Sequence, residues 1–199
     1  MRRETRRVVG IAAAAMLVAG VSLVLMDARA VTAAATTPAE AMAAPESADA
    51  LVSRAVAEAR ADHKVVLIEF GASWCVWCRH FQDFVHAPAV RDIIADNYVL
   101  VNLTVQERED KVALENPGGV DAMAKWGGAK AGLPFYVFLD ATGTKIADSN
   151  AMPGGQNIGF PATPVERDAF LGVLAKTAPR LDAARRATLR GYLTSVIAQ

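Results

Sequence analysis

Residues 65–81, VVLIEFGASWCVWCRHF, constrain this chain more than any other stretch. Val65 to Phe70 is a β-branched apolar run of strand length closed by Gly71, which fits a central strand buried on both faces. The run leads directly into Cys75-Val76-Trp77-Cys78, which holds both of the protein's cysteines. A thiol at the first turn of a helix faces unpaired backbone N–H groups and the positive end of the helix dipole, so its thiolate is favoured. A second thiol three residues on lies on the same helical face, close enough to close a disulfide. Thiol–disulfide exchange is therefore the expected chemistry. Cys75, leading the helix and expected to be the more exposed of the pair, would attack a substrate disulfide, and the buried Cys78 would resolve the mixed disulfide. A purely structural bridge is the weaker reading, because so short a ring removes little entropy from the unfolded chain.

The rest of the chain supplies a setting for this pair. With 199 residues and 53% apolar content there is room for one ordinary domain plus a tail. Net charge is zero, but residues 1–30 carry five arginines against Glu4 and Asp27, so no basic field for nucleic acid is left in the remainder. Arg2, Arg3, Arg6 and Arg7 precede nineteen uncharged residues, Val8 to Met26, and then Ala28-Arg29-Ala30. Residues 1–30 thus read as an export signal cleaved after Ala30, with a retained membrane anchor as the second reading. Residues 31–47, rich in Ala, Thr, Pro and Glu, read as a flexible linker, and residues 48–199 as the folded domain.

Within that domain, apolar residues at helical spacing place a first helix over Asp49 to Asp62. Strands follow at Val65 to Phe70, Tyr98 to Val105 and Phe135 to Leu139. A turn at Asp140 to Gly143 then leads to a partner strand starting at Lys145. Helices are expected from the cysteine pair to Ala87-Pro88, around Val90 to Ile94, from Val120 to Trp126, after Thr163-Pro164, and from Leu181 to Ile197. Ser149 to Thr163 holds three glycines and two prolines and is expected to be an irregular loop outside the core. The order describes an α/β fold with a mixed sheet of about four strands covered on both faces and an extra C-terminal helix.

A strand, W-C-x-x-C, a helix and a later apolar strand opening at Leu133-Pro134 resemble the thioredoxin family over roughly Asp49 to Lys176. The helix broken before Pro88-Ala89-Val90 is similar to that of exported thioredoxin-like proteins akin to the C-terminal domain of the transmembrane thiol–disulfide carrier of the bacterial periplasm. The resemblance implies a thioredoxin fold and the roles of several residues. Glu69, six residues before Cys75, matches the acidic residue that handles the proton of the resolving cysteine. Pro134 matches the cis-proline beside the disulfide, and Leu133 would pair with the substrate backbone. Trp74 matches the tryptophan that shields the thiols. The match is not complete. Val101-Asn102-Leu103 is the region where thioredoxins proper carry a lysine near the acid, and Trp77 replaces the residues that set potential in other members. An apolar Trp77 provides no cation for a thiolate, so a reductase is expected rather than a strong oxidant.

The implied partners are protein disulfide substrates, with a membrane thiol–disulfide carrier as electron donor in an extracytoplasmic compartment. No cofactor is expected. A zinc site would have to complete Cys75 and Cys78 from His63, His80 or His86 without a second cysteine pair, and covalent haem would need histidine at position 79, which is Arg79. A binding or metal-holding module, and a disulfide oxidant or isomerase, are the alternatives.

Overall fold

The computed structural model describes residues 44–197. The signal or anchor reading of residues 1–30 and the linker reading up to residue 43 lie outside the described residues. Among the described residues no helix is long and apolar enough to cross a membrane.

Helix α1 (Ala48–Asp62) begins where the Ser47 side chain accepts a hydrogen bond from the Ala50 N–H at 3.3 Å, and it ends at His63 in the left-handed region at φ 55°. Glu46 also meets the fold, through an ion pair with Arg54 and a hydrogen bond from Asn116 to its carbonyl. Strand β1 (Val65–Gly71) follows, then α2 (Val76–His86), α3 (Arg91–Asn97) and β2 (Tyr98–Thr104). An exposed 3-10 helix at Glu109–Leu114 occupies the charged stretch after β2. Next come α4 (Gly119–Lys125), β3 (Phe135–Leu139), β4 (Lys145–Asp148), α5 (Pro164–Thr177) and α6 (Ala183–Ile197).

The sheet order is β2-β1-β3-β4, with β1 parallel to β2 and both β3 pairings antiparallel. Because side chains alternate along a strand, the two central strands sort their residues onto two faces. Val66, Ile68, Phe70, Phe135, Val137 and Leu139 pack with the α1 and α4 side, whereas Leu67, Tyr136 and Phe138 pack with α2, α5 and α6. The same alternation turns Glu69 toward α2 and puts Asn102 opposite it in the β1–β2 register. On that second face Phe170 of α5 meets Phe81, Phe84 and Tyr136 edge-on at centroid distances of 5.7–6.2 Å.

The start of α5 is a capping box, in which Thr163 and Glu166 satisfy each other's backbone N–H groups with Pro164 in the first turn. Helix α6 closes the same face through the fully buried Leu189 and Leu193. Between these helices Arg180 donates to the carbonyls of Asp62, His63 and Asp96, tying the C-terminal extension to the ends of α1 and α3.

One expectation is overturned. Residues 149–163 are irregular in backbone, yet Ser149, Ile158 and Phe160 are buried, and the last two belong to the aromatic core. Ser149 uses both its N–H and its hydroxyl on the backbone of Tyr136, which leaves the loop stitched to β3. Two apolar side chains among many glycines carry no periodic signal, so their burial is decided by contacts with distant residues.

Candidate active site

Cys75 is the N-cap of α2 and lies in extended backbone at φ −81° and ψ 105°. Its Sγ accepts a hydrogen bond from the Cys78 N–H at 3.1 Å, so sulfur fills the place that a hydroxyl or carboxylate oxygen takes in ordinary caps. The two cysteines form a disulfide, with Cα atoms 5.3 Å apart. The expected asymmetry of exposure is absent, for Cys75 is 4% and Cys78 5% exposed. In the oxidised pair each sulfur covers the other. Around them the large apolar side chains face outward, with Trp74 at 42%, Val76 at 51% and Trp77 at 52% exposure.

The residues before the pair are held from two sides. Glu107, just past β2, accepts from the Ser73 N–H at 2.5 Å and from the Ser73 hydroxyl at 2.8 Å. Trp74 donates its indole N–H to the Gln106 carbonyl at 2.8 Å, and the Arg79 guanidinium reaches the Ser73 carbonyl at 3.2 Å. Trp77 lies over Phe160 at a centroid distance of 5.9 Å and an interplanar angle of 15°, and His80 flanks both rings.

Behind Cys78 sits Glu69, 4% exposed on a strand with neighbours on both sides. Burial pushes its carboxyl up to about 8, since the charged form loses its hydration. Gln82, one turn beyond Cys78, donates to Oε2 of Glu69 and, at 2.8 Å, to the Asn102 side chain. Oε1 of Glu69 has no partner among the described residues. A cleft of about 480 Å³ opens beside it, lined in part by Gly71, Ser73, Cys78, Gln82, Asn102 and Glu107. Where thioredoxins proper would present a lysine, the neighbours of this acid are thus two neutral amides.

The Leu133–Pro134 peptide bond, just before β3, is cis, Pro134 is buried and Leu133 half-buried. Among the described residues no group of three or more His, Cys, Asp or Glu side chains is arranged to hold a metal ion.

Residues 48–141 match the model of the family described as thioredoxin-like. They form a thioredoxin-like domain. Two curated proteins align with it. The thiol:disulfide interchange protein DsbD of Photorhabdus laumondii is 30% identical over 89 residues, which are 44% of this chain and 14% of that protein. The disulfide bond reductase DsbH of Chlamydia pneumoniae is 24% identical over 105 residues, 52% of this chain and 62% of that protein. The chain therefore spans less than two thirds of either relative. Among solved structures, a disulphide isomerase from Xylella fastidiosa gives a TM-score of 0.43 at 22% identity, covering 51% of this chain and 72% of that one.

Several neighbours of the site carry no signal as residues. Gln82 is a polar position on an amphipathic helix, and Glu107 is one charge among several in the stretch after β2. Phe160 and Asn157 belong to a loop whose composition points away from the core. Met123 is a core residue and Trp126 packs beside the core, 6.2 Å from the Phe70 ring.

Proposed function

We propose that this chain is an exported thiol–disulfide oxidoreductase acting on disulfides in other proteins, most simply as a reductase. The observation that carries the reading is the Cys75–Cys78 disulfide at the N-terminus of α2 with a buried carboxyl behind the second sulfur. In this reading a dithiol donor first delivers two electrons and two protons to the pair. The Cys75 thiolate then attacks one sulfur of a substrate disulfide and expels the other as a thiolate, forming a mixed disulfide. Cys78 loses its proton to the Glu69 carboxylate, attacks Cys75 and releases the second substrate sulfur. The substrate ends as two thiols and the pair as a disulfide.

The names of the two curated relatives, one an interchange protein and one a disulfide bond reductase, support this class of reaction. Leu133 and Pro134 would line the substrate groove, with Trp74 and Trp77 at its apolar rim. Residues 1–30 would direct export, and residues 31–47 would link the domain to that segment. The donor would be a membrane thiol–disulfide carrier, which places the reaction outside the cytoplasm, where disulfides persist.

Insulin reduction with dithiothreitol as donor tests the reading. Activity abolished by Cys75→Ser supports it, and no turnover by the unaltered protein overturns it. Direction is read from the reduction potential of the pair. A value near about −270 mV fits a reductase and one near about −120 mV an oxidant.

A further inference from the structure

The loop at residues 149–163 meets both the start of the helix that carries the disulfide and the segment with the cis peptide bond. Phe160 backs Trp77 as described above. At the cis peptide segment the Asn157 side chain, half-buried, donates from Nδ2 to the Gly132 carbonyl at 2.7 Å and to the Pro134 carbonyl at 3.0 Å. Its Oδ1 accepts from the Gly159 N–H at 3.2 Å, so the amide has a use for both ends in one orientation. The loop that carries it is itself fixed, because Ile158 donates to the Ser149 carbonyl at 2.7 Å and Ser149 is bonded to Tyr136 of β3. Residue 133 lies between the two captured carbonyls. Neither its own N–H nor its C=O makes a hydrogen bond to another described residue.

We propose that Asn157 is a positioning residue for the recognition of extended polypeptide substrates. By occupying the carbonyls on either side, it holds the Leu133 peptide in place with its donor and acceptor unpaired, available to the backbone beside a substrate disulfide. This rests on the exchange reading above and adds to it a residue that favours polypeptide over small disulfides. A disulfide within a protein strand gains from the fixed edge, whereas a small disulfide with no peptide groups does not. The gain comes from orientation prepared before binding, so its loss shows in the Michaelis constant for polypeptides. The redox pair itself, which Asn157 does not touch, keeps its potential.

The test compares the full chain with its Asn157→Ala and Asn157→Asp variants on insulin and on hydroxyethyl disulfide, with dithiothreitol as donor. Asn157→Ala is expected to raise KM for insulin about tenfold while kcat, the hydroxyethyl disulfide rate and the potential stay within about twofold. Asn157→Asp keeps the shape but turns an oxygen toward the carbonyls, and it is expected to do the same or more, which covers the case of an alanine variant that fails to fold. Equal losses on the two substrates, or an insulin KM that moves less than about twofold in the folded variants, overturn the proposal while leaving the exchange reading intact. If the unaltered protein turns over neither substrate, the exchange reading falls and this proposal with it.

Discussion

Glu69 and Cys78 both border the space beside Gly71 and line one cleft with it. A Cβ built on Gly71 would lie 3.4 Å from the Cys78 sulfur and 3.6 Å from Oε1 of Glu69, in van der Waals contact with both acid and thiol. Oε1 is unpartnered among the described residues and the cleft opens beside it, and in the proposed mechanism this is where the proton of Cys78 would be taken up.

Glu69→Gln is expected to slow resolution of the mixed disulfide on the order of a hundredfold at neutral pH, since an amide cannot take the proton. The unaltered protein should also speed up with pH as Glu69 ionises near 8, while the variant should follow thiol ionisation alone. Rapid-mixing measurement of substrate-thiol release after formation of the mixed disulfide checks both. Superimposable rates across pH 6–9 would remove Glu69 from the mechanism.

The same carboxyl makes stability depend on pH. Its folded value, about 8, stands above the ordinary 4.5, so the folded state binds a proton that the unfolded state has released. Below both values the group costs nothing. As pH rises through the interval between them stability falls, and the penalty is complete above the folded value. For the oxidised protein the loss between pH 6 and 8 should be about 2 kcal/mol by urea unfolding, and Glu69→Gln should abolish it. Asn102→Lys, which sets a cation opposite Glu69 in the strand register, should lower the carboxyl by at least about one unit and shift the fall to lower pH. A loss of the same size in the glutamine variant would assign it to other groups.

Phe160→Ala distinguishes a core segment from a surface loop. Phe160 is 5% exposed and shares the core with Phe81, Phe170 and Leu174, so truncation should cost about 3 kcal/mol. A substitution in a solvated loop would stay within about 0.5 kcal/mol. Denaturant titration at constant slope decides between them.

Much of the fold could be read from local signals. Phe135 to Leu139 is a strand at the expected residues, and Thr163-Pro164-Val165-Glu166 starts a helix as the capping pattern requires. Glu69 was visible as one acid in an apolar strand, because a single residue that breaks a buried pattern stands out. The residues around it did not stand out. Gln82, Glu107 and Asn157 are half-buried polar residues with no pattern around them, and only the chain's return from 13, 34 and 25 positions away gives them their partners. The equal burial of the two sulfurs was equally hidden, since it follows from their being bonded to each other. Composition also misjudged residues 149–163, where a few side chains outweigh many glycines.

The sulfur that caps α2 is also an atom that changes oxidation state. Serine at position 75 would keep an acceptor for the first turn, whereas alanine would forfeit about 1 kcal/mol of capping, so the two substitutions separate lost chemistry from a loosened helix. By a closed thermodynamic cycle, the difference in unfolding free energy between the disulfide and dithiol forms equals the difference in reduction potential between the folded and unfolded chain, about 30 mV for each 1.4 kcal/mol. A pair of melting curves, one for each form, therefore measures how far the fold itself shifts the affinity of this pair for electrons.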